Sequence, residues 1–152
     1  MTRIAAVLAL VVVLAAAAAG AQTAPAASGP LVNANTAGEA ELANVPGLNA
    51  ALAKAMVSRR PFASMSALDA FLGEQKLTRE QRTTLYGRLF VPVKLNSASD
   101  EDILLIPGIG KRMLGEFKEY RPYKAIEQFR REIGKYVNKE ELARLERYVV
   151  VD

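Results

Sequence analysis

The chain contains the same unit twice, and this duplication constrains its fold more than any other feature of the sequence. At an offset of 61 positions, residues 35–73 align without a gap with residues 96–134. With a slip of one residue, the stretch 78–81 then aligns with 138–141. A unit of roughly sixty residues buries only about 60% of its unfolded surface, so one copy alone would be marginally stable. We therefore expect the two copies to pack against each other across a short junction at residues 91–93.

Each copy has the spacing of apolar residues that is typical of helices, interrupted by prolines and glycines at matching positions. In the first copy, Thr36-x-x-Glu39 and Thr78-x-x-Gln81 match the capping box that opens many helices. In the second copy, Ser97-x-x-Asp100 and Asn138 are the corresponding N-caps. The sequence predicts an all-α fold of two tandem units with about four helices each.

The second copy contains the stretch IPGIGKR, residues 106–112, between two apolar helical patterns. Pro107 and Gly108 break the helix, and Gly110 offers a second position where the backbone can turn left-handed or approach a ligand closely. The helix that starts near Gly110 or Lys111 exposes unpaired amides and the positive end of its dipole, which suits a phosphate group. The alternative is a helix corner whose glycines only permit a tight bend. The predicted phosphate-binding residues are Gly108, Ile109, Gly110, Lys111 and Arg112.

The first copy has a weaker version of this turn at Gly47, Leu48 and Asn49, because asparagine replaces the second glycine. Alanines stand where the second copy has its basic pair, so we expect little phosphate binding there. Later basic residues of the second copy are candidates for supporting contacts to the same phosphate-bearing ligand, namely Lys118, Arg121, Lys135 and Lys139.

The composition excludes several classes of chemistry, because the chain has no histidine, cysteine or tryptophan. Zinc fingers, disulfide frameworks, thiol catalysis and histidine bases are all ruled out. We expect no enzymatic activity, no cofactor and no metal site. The acidic run from Asp100 to Asp102 is interpreted as a solvated first helical turn, where negative charge suits the dipole. Consecutive carboxylates on a helix point in different directions and do not converge on one ion.

The N-terminus has the features of a secretory signal peptide at residues 1–21, with Arg3, an apolar run and an Ala-Gly-Ala cleavage site. The alternative is an uncleaved membrane anchor, although the run is shorter than the roughly 20 apolar residues that a bilayer needs. A flexible linker is predicted at residues 22–32, followed by units at 33–92 and 93–152. Cleavage would remove Arg3 and lower the net charge from +4 to +3, and the protein would be periplasmic or secreted.

Two stretches, LVNANTAGEAELANVPGL and LNSASDEDILLIPGIGKR, resemble the helix-hairpin-helix motif of DNA-binding proteins. More closely, they resemble the ComEA family, the periplasmic or surface DNA receptors of competence systems. The resemblance implies capture of duplex DNA through its phosphate backbone without sequence preference, in association with a membrane uptake or secretion complex.

The same fold also serves protein docking, in secretion machinery and in extrinsic subunits of photosystem II. The weak first turn and the near-balanced charge favour this alternative, whereas the intact second turn opposes it. A DNA glycosylase or nuclease is a third reading, and the predicted export argues against it.

Overall fold

The computed structural model describes residues 29–152, so the predicted signal peptide and most of the predicted linker lie outside the described residues. The described chain forms two similar units of helices, each framed by two very short strands. The first unit comprises β1 (Val32–Asn33), α1 (Glu39–Ala43), α2 (Ala50–Arg59), α3 (Met65–Glu74), α4 (Arg79–Leu85) and β2 (Leu89–Phe90). The second comprises β3 (Val93–Lys94), α5 (Asp100–Leu104), α6 (Lys111–Glu119), α7 (Ile126–Ile133), α8 (Lys139–Glu146) and β4 (Val149–Val150).

Each unit is closed by a parallel pairing between its first and last strands, which the sequence did not predict. Val32 pairs with Leu89 in the first unit, and Val93 pairs with Val149 in the second. A strand of two residues is too short to show the alternation that identifies strands in a sequence. Val32, the last residue of the predicted linker, is buried in β1.

The predicted helix starts were wrong for the first helix of each unit and right for the last. Gly38 precedes α1, and Ser99 caps α5 in a box with Asp102, so both helices begin two residues later than expected. The chain first makes a turn, in which the amides of Thr36 and Ala37 both donate to the carbonyl of Asn33. The predicted caps of α4 and α8, by Thr78 and Asn138, are confirmed.

An asparagine and an arginine hold the same loop together in both units, which explains why these residues recur. The Asn35 carboxamide exchanges two hydrogen bonds with the backbone of Phe62, at 2.8 and 2.9 Å. Asn96 makes the same pair with Tyr123, at 2.6 and 2.9 Å. The guanidinium of Arg121 donates to the carbonyls of Leu95 and Ala98, at 2.6 and 2.9 Å.

The two units pack against each other as well as being linked in sequence. The carboxylate of Asp102 in α5 accepts hydrogen bonds from the amide and hydroxyl of Ser66 in α3, at 2.8 and 2.7 Å. The Tyr148 hydroxyl donates to the carbonyl of Tyr86 at 2.8 Å, and the Tyr148 ring lies edge-on to that of Phe90. Asp102 is buried, so the prediction of a fully solvated acidic turn was wrong at this position. Among residues 29–152, no helix has the length and apolarity required to cross a bilayer.

Candidate nucleic-acid interface

The turn between α5 and α6 is compact and is anchored by two buried isoleucines. Ile106 and Ile109 lie in the core, and the amide of Ile109 donates to the carbonyl of Ile106 at 3.1 Å. Gly108 lies between them and has a φ of 83°, which side chains with a Cβ rarely adopt. The turn therefore requires glycine at position 108, as the sequence indicated.

Gly110 does not make the left-handed turn that was one of the two roles expected for it. Its φ is −107°, which is extended backbone rather than a left-handed turn, and a Cβ built there would contact nothing within 4 Å. Gly110 is the N-cap of α6 and has no side chain with which to accept a hydrogen bond. Within residues 29–152, no acceptor contacts the first three amides of α6, those of Lys111, Arg112 and Met113. Three outward-directed amides are thus available to a ligand at the positive end of the helix dipole.

The corresponding turn of the first unit keeps its shape but has one free amide fewer in the described chain. Gly47 has a φ of 95°, so the left-handed residue is conserved between the two turns. Asn49, at the position of Gly110, is extended, and its side chain accepts a hydrogen bond from the amide of Leu52 at 2.8 Å. The third amide of α2 is therefore occupied by the protein itself. The two residues that follow, Ala50 and Ala51, are exposed and uncharged.

An arginine from α8 supports the second turn, and sequence reasoning missed it. The Arg144 guanidinium donates to the carbonyl of Pro107 at 2.6 Å and to the carboxylate of Glu141 at 2.6 and 2.7 Å. The hydrogen bonds to Glu141 raise the pKa of Arg144 above its ordinary value. A Cβ at Gly108 would lie 3.1 Å from the same guanidinium. Arg144 is 37 positions from Pro107, so no local pattern could have identified the contact.

The structure separates the predicted basic residues into those with partners and those without. Lys118 pairs with Asp100 at 2.6 Å, and Arg121 is directed inward to backbone carbonyls. Lys135 pairs with Glu132 and lies 5.5 Å from the centre of the Tyr120 ring. The exposed basic residues without a carboxylate partner in the described chain include Lys111, Arg112 and Lys139.

Arg121 therefore has a structural role, and its DNA contact stays a prediction. Its counterpart Arg60 donates in the same way to the carbonyls of Ala34 and Ala37, at 2.7 and 2.6 Å. Two guanidinium groups with the same internal contacts in both units indicate a function in folding. In the described part of the chain, no cluster of acidic side chains is arranged to hold a metal ion.

Comparison with known proteins identifies one feature of the chain. A family model described as the helix-hairpin-helix motif matches residues 28–81, which extend from the start of the first unit into α4. No curated protein and no solved structure matches the chain. The motif is generally associated with nucleic-acid binding, and the matched segment includes the turn at Gly47. The chain thus has an all-α fold of tandem helix-hairpin-helix units.

Proposed function

We propose that this protein binds duplex DNA through the phosphate backbone, chiefly at the turn between α5 and α6. The observation that carries the proposal is the N-terminus of α6, where three amides without acceptors among residues 29–152 adjoin the exposed side chains of Lys111 and Arg112. Amides and a helix dipole bind an anion directionally, and the two cations add attraction at the same place. A phosphate group satisfies both requirements.

Binding of this kind carries no sequence information. Amides and basic side chains that contact phosphates position a protein on DNA, whereas sequence is read from the base edges in the grooves. The turn exposes glycines and a helix start, and its isoleucines at 106 and 109 are buried. We therefore propose a binding protein without sequence preference and without catalytic activity.

The cellular role that we propose is capture of DNA outside the cytoplasm, as in competence and DNA uptake. Support comes from the resemblance to the ComEA family and from the signal-peptide features of residues 1–21. Its partners would be incoming double-stranded DNA and a membrane uptake or secretion complex, and it would be periplasmic or secreted.

A protein-docking module of an extracytoplasmic complex is the second candidate. The observation in its favour is that the first turn has lost both the free third amide and the basic pair while its fold persists. A motif kept without its phosphate-binding features would suit a structural role.

Salt-titrated fluorescence anisotropy with a labelled duplex tests the proposal. Contacts to about three phosphates predict a slope of log affinity against log salt near −3, and a dissociation constant of about 10⁻⁴ to 10⁻⁶ M. Duplexes of unrelated sequence should bind equally well. Absence of binding at low salt would favour the docking alternative, and a strong preference for one sequence would contradict contact through the backbone.

A further inference from the structure

Helix α4 of the first unit lies between the two turns. At its C-terminal end, the Leu85 side chain is 3.1 Å from the position that a Cβ on Gly47 would occupy. On another side, α4 faces the turn of the second unit across an open groove of about 670 Å³. Arg79, Arg82 and Thr83 line the groove from α4, and Pro107, Gly108 and Ile109 line it from the turn. The groove therefore reaches Gly108 and Ile109, two of the predicted phosphate-binding residues, and lies beside the start of α6.

Of the two arginines that line this groove, only one is available to bind a ligand. Arg82 donates to the carboxylate of Asp69 and to the carbonyl of Leu77, both at 2.8 Å, so the protein itself uses this guanidinium. Arg79 is exposed, and its guanidinium forms no ion pair with a carboxylate of the described residues. Glu101 of α5 is exposed on the opposite wall. Arg82 and Asp69, which both line the groove, form an ion pair with each other. The remaining charges of the groove lining are one available cation, Arg79, and one opposing carboxylate, Glu101.

We propose that Arg79 is a further DNA-binding residue, which the first unit contributes to the phosphate site of the second. The inference rests on the proposed function, since it concerns the same ligand. Each strand of a duplex carries a negative charge about every 3.4 Å along the axis. A DNA strand bound at Gly108 and Lys111 therefore places its next phosphates over the surface beside the turn. That surface includes the groove lined by Arg79. The turn of the first unit has neither the uncapped helix start nor the basic pair. The first unit instead supplies a cation, Arg79, beside the turn of the second unit.

Anisotropy on the full chain tests this role of Arg79. Arg79→Gln should weaken binding about 3- to 10-fold at low salt and reduce the salt slope by about one, as expected for loss of one phosphate contact. The matched control is Arg59→Gln, which removes an exposed positive charge at the C-terminal end of α2, outside the groove lining. It should change affinity less than 2-fold. Glu101→Gln should strengthen binding about 2-fold, because it removes the opposing charge.

The outcomes distinguish this inference from the proposed function. If Arg79→Gln binds like Arg59→Gln while the double variant Lys111→Glu with Arg112→Glu loses binding, Arg79 is not a contact and the function stands. If the unaltered protein does not bind DNA, both proposals are overturned. Circular dichroism on each variant checks folding, and a lower affinity accompanied by lost helicity would count against a direct contact.

Discussion

Gly108 and Gly110 lie two residues apart in one turn, but they are needed for different physical reasons. Glycine is needed at position 108 because the backbone there is left-handed, with a φ of 83°. A Cβ at this position would also lie close to the guanidinium of Arg144. Gly110 has ordinary extended torsions and open space around it, so any residue would fit there. What glycine provides at position 110 is an uncapped helix start. The Gly-x-Gly pattern located the turn correctly. It could not show that Gly108 is needed for its backbone torsions, whereas Gly110 leaves the start of α6 without a side-chain cap.

Replacing Gly110 should therefore stabilise the protein and weaken its binding to DNA. In Gly110→Asn, a side-chain oxygen can accept from the Met113 amide, as Asn49 does from Leu52. We expect the free energy of unfolding to rise by roughly a few tenths of a kcal/mol. DNA affinity should fall several-fold, since one amide is then occupied. Denaturant unfolding and anisotropy measure the two effects.

Gly108→Ala is the matched comparison and should behave in the opposite way in unfolding. A Cβ at a left-handed position costs about 1–2 kcal/mol, so stability should fall. If Gly110→Asn binds DNA as tightly as the unaltered protein, the Met113 amide is not part of the contact.

At the scale of elements, the turn between α1 and α2 can be compared directly with the turn between α5 and α6, because the two occupy matching positions in the repeat. Both have the left-handed glycine, the same entry loop and a supporting last helix, but the support differs. Leu85 packs beside Gly47, whereas Arg144 lies beside Gly108. The duplication made the helices and turns predictable from sequence. The contacts from α4 and α8 were not predictable, because they join residues that are distant in sequence and belong to no repeated motif.

The paired turns predict that DNA binding belongs to the second unit. Lys111→Glu with Arg112→Glu should abolish binding and leave helicity unchanged, because both side chains are exposed and unpaired in the described chain. Ala50→Glu with Ala51→Glu introduces the same charges at the matching positions of α2. It should weaken binding only slightly, through repulsion that salt screens.

Fluorescence anisotropy on both double variants, with circular dichroism as the folding control, measures this difference. Equal loss of binding in the two variants would mean that the second turn is not the principal site. No loss in either variant would mean that the turns serve the fold alone.

At the scale of the whole molecule, Asp102 connects the two units. One carboxylate oxygen accepts from the amide and hydroxyl of Ser66, and the other accepts from those of Ser99, at 3.2 and 2.8 Å. The sequence placed Asp102 in an acidic run and showed no sign of its burial, because Ser66 lies in the other unit. Duplication predicted that two units would pack together, but it could not identify the contact residues, since each copy has its own residues at these positions.

The last prediction concerns the dependence of stability on pH through this carboxylate. Burial raises the pKa of Asp102, but the hydrogen bonds from Ser66 and Ser99 together outweigh burial and lower it below its ordinary value. A carboxyl with a lowered folded-state pKa stabilises the protein above its unfolded pKa, and the contribution is lost as pH falls through the folded value. Asp102→Asn should cost about 1–3 kcal/mol at pH 7. The asparagine oxygen can accept from only one of the two serines, and its NH₂ group faces the donors of the other serine without accepting from them. In denaturant unfolding from pH 7 to pH 2, the difference from the unaltered protein should shrink as the medium becomes acidic. Glu101→Gln, an exposed neighbour, is the control and should cost less than about 0.5 kcal/mol at every pH. A deficit in Asp102→Asn that stays constant down to pH 2 would show that the charge of this carboxylate does not hold the two units together.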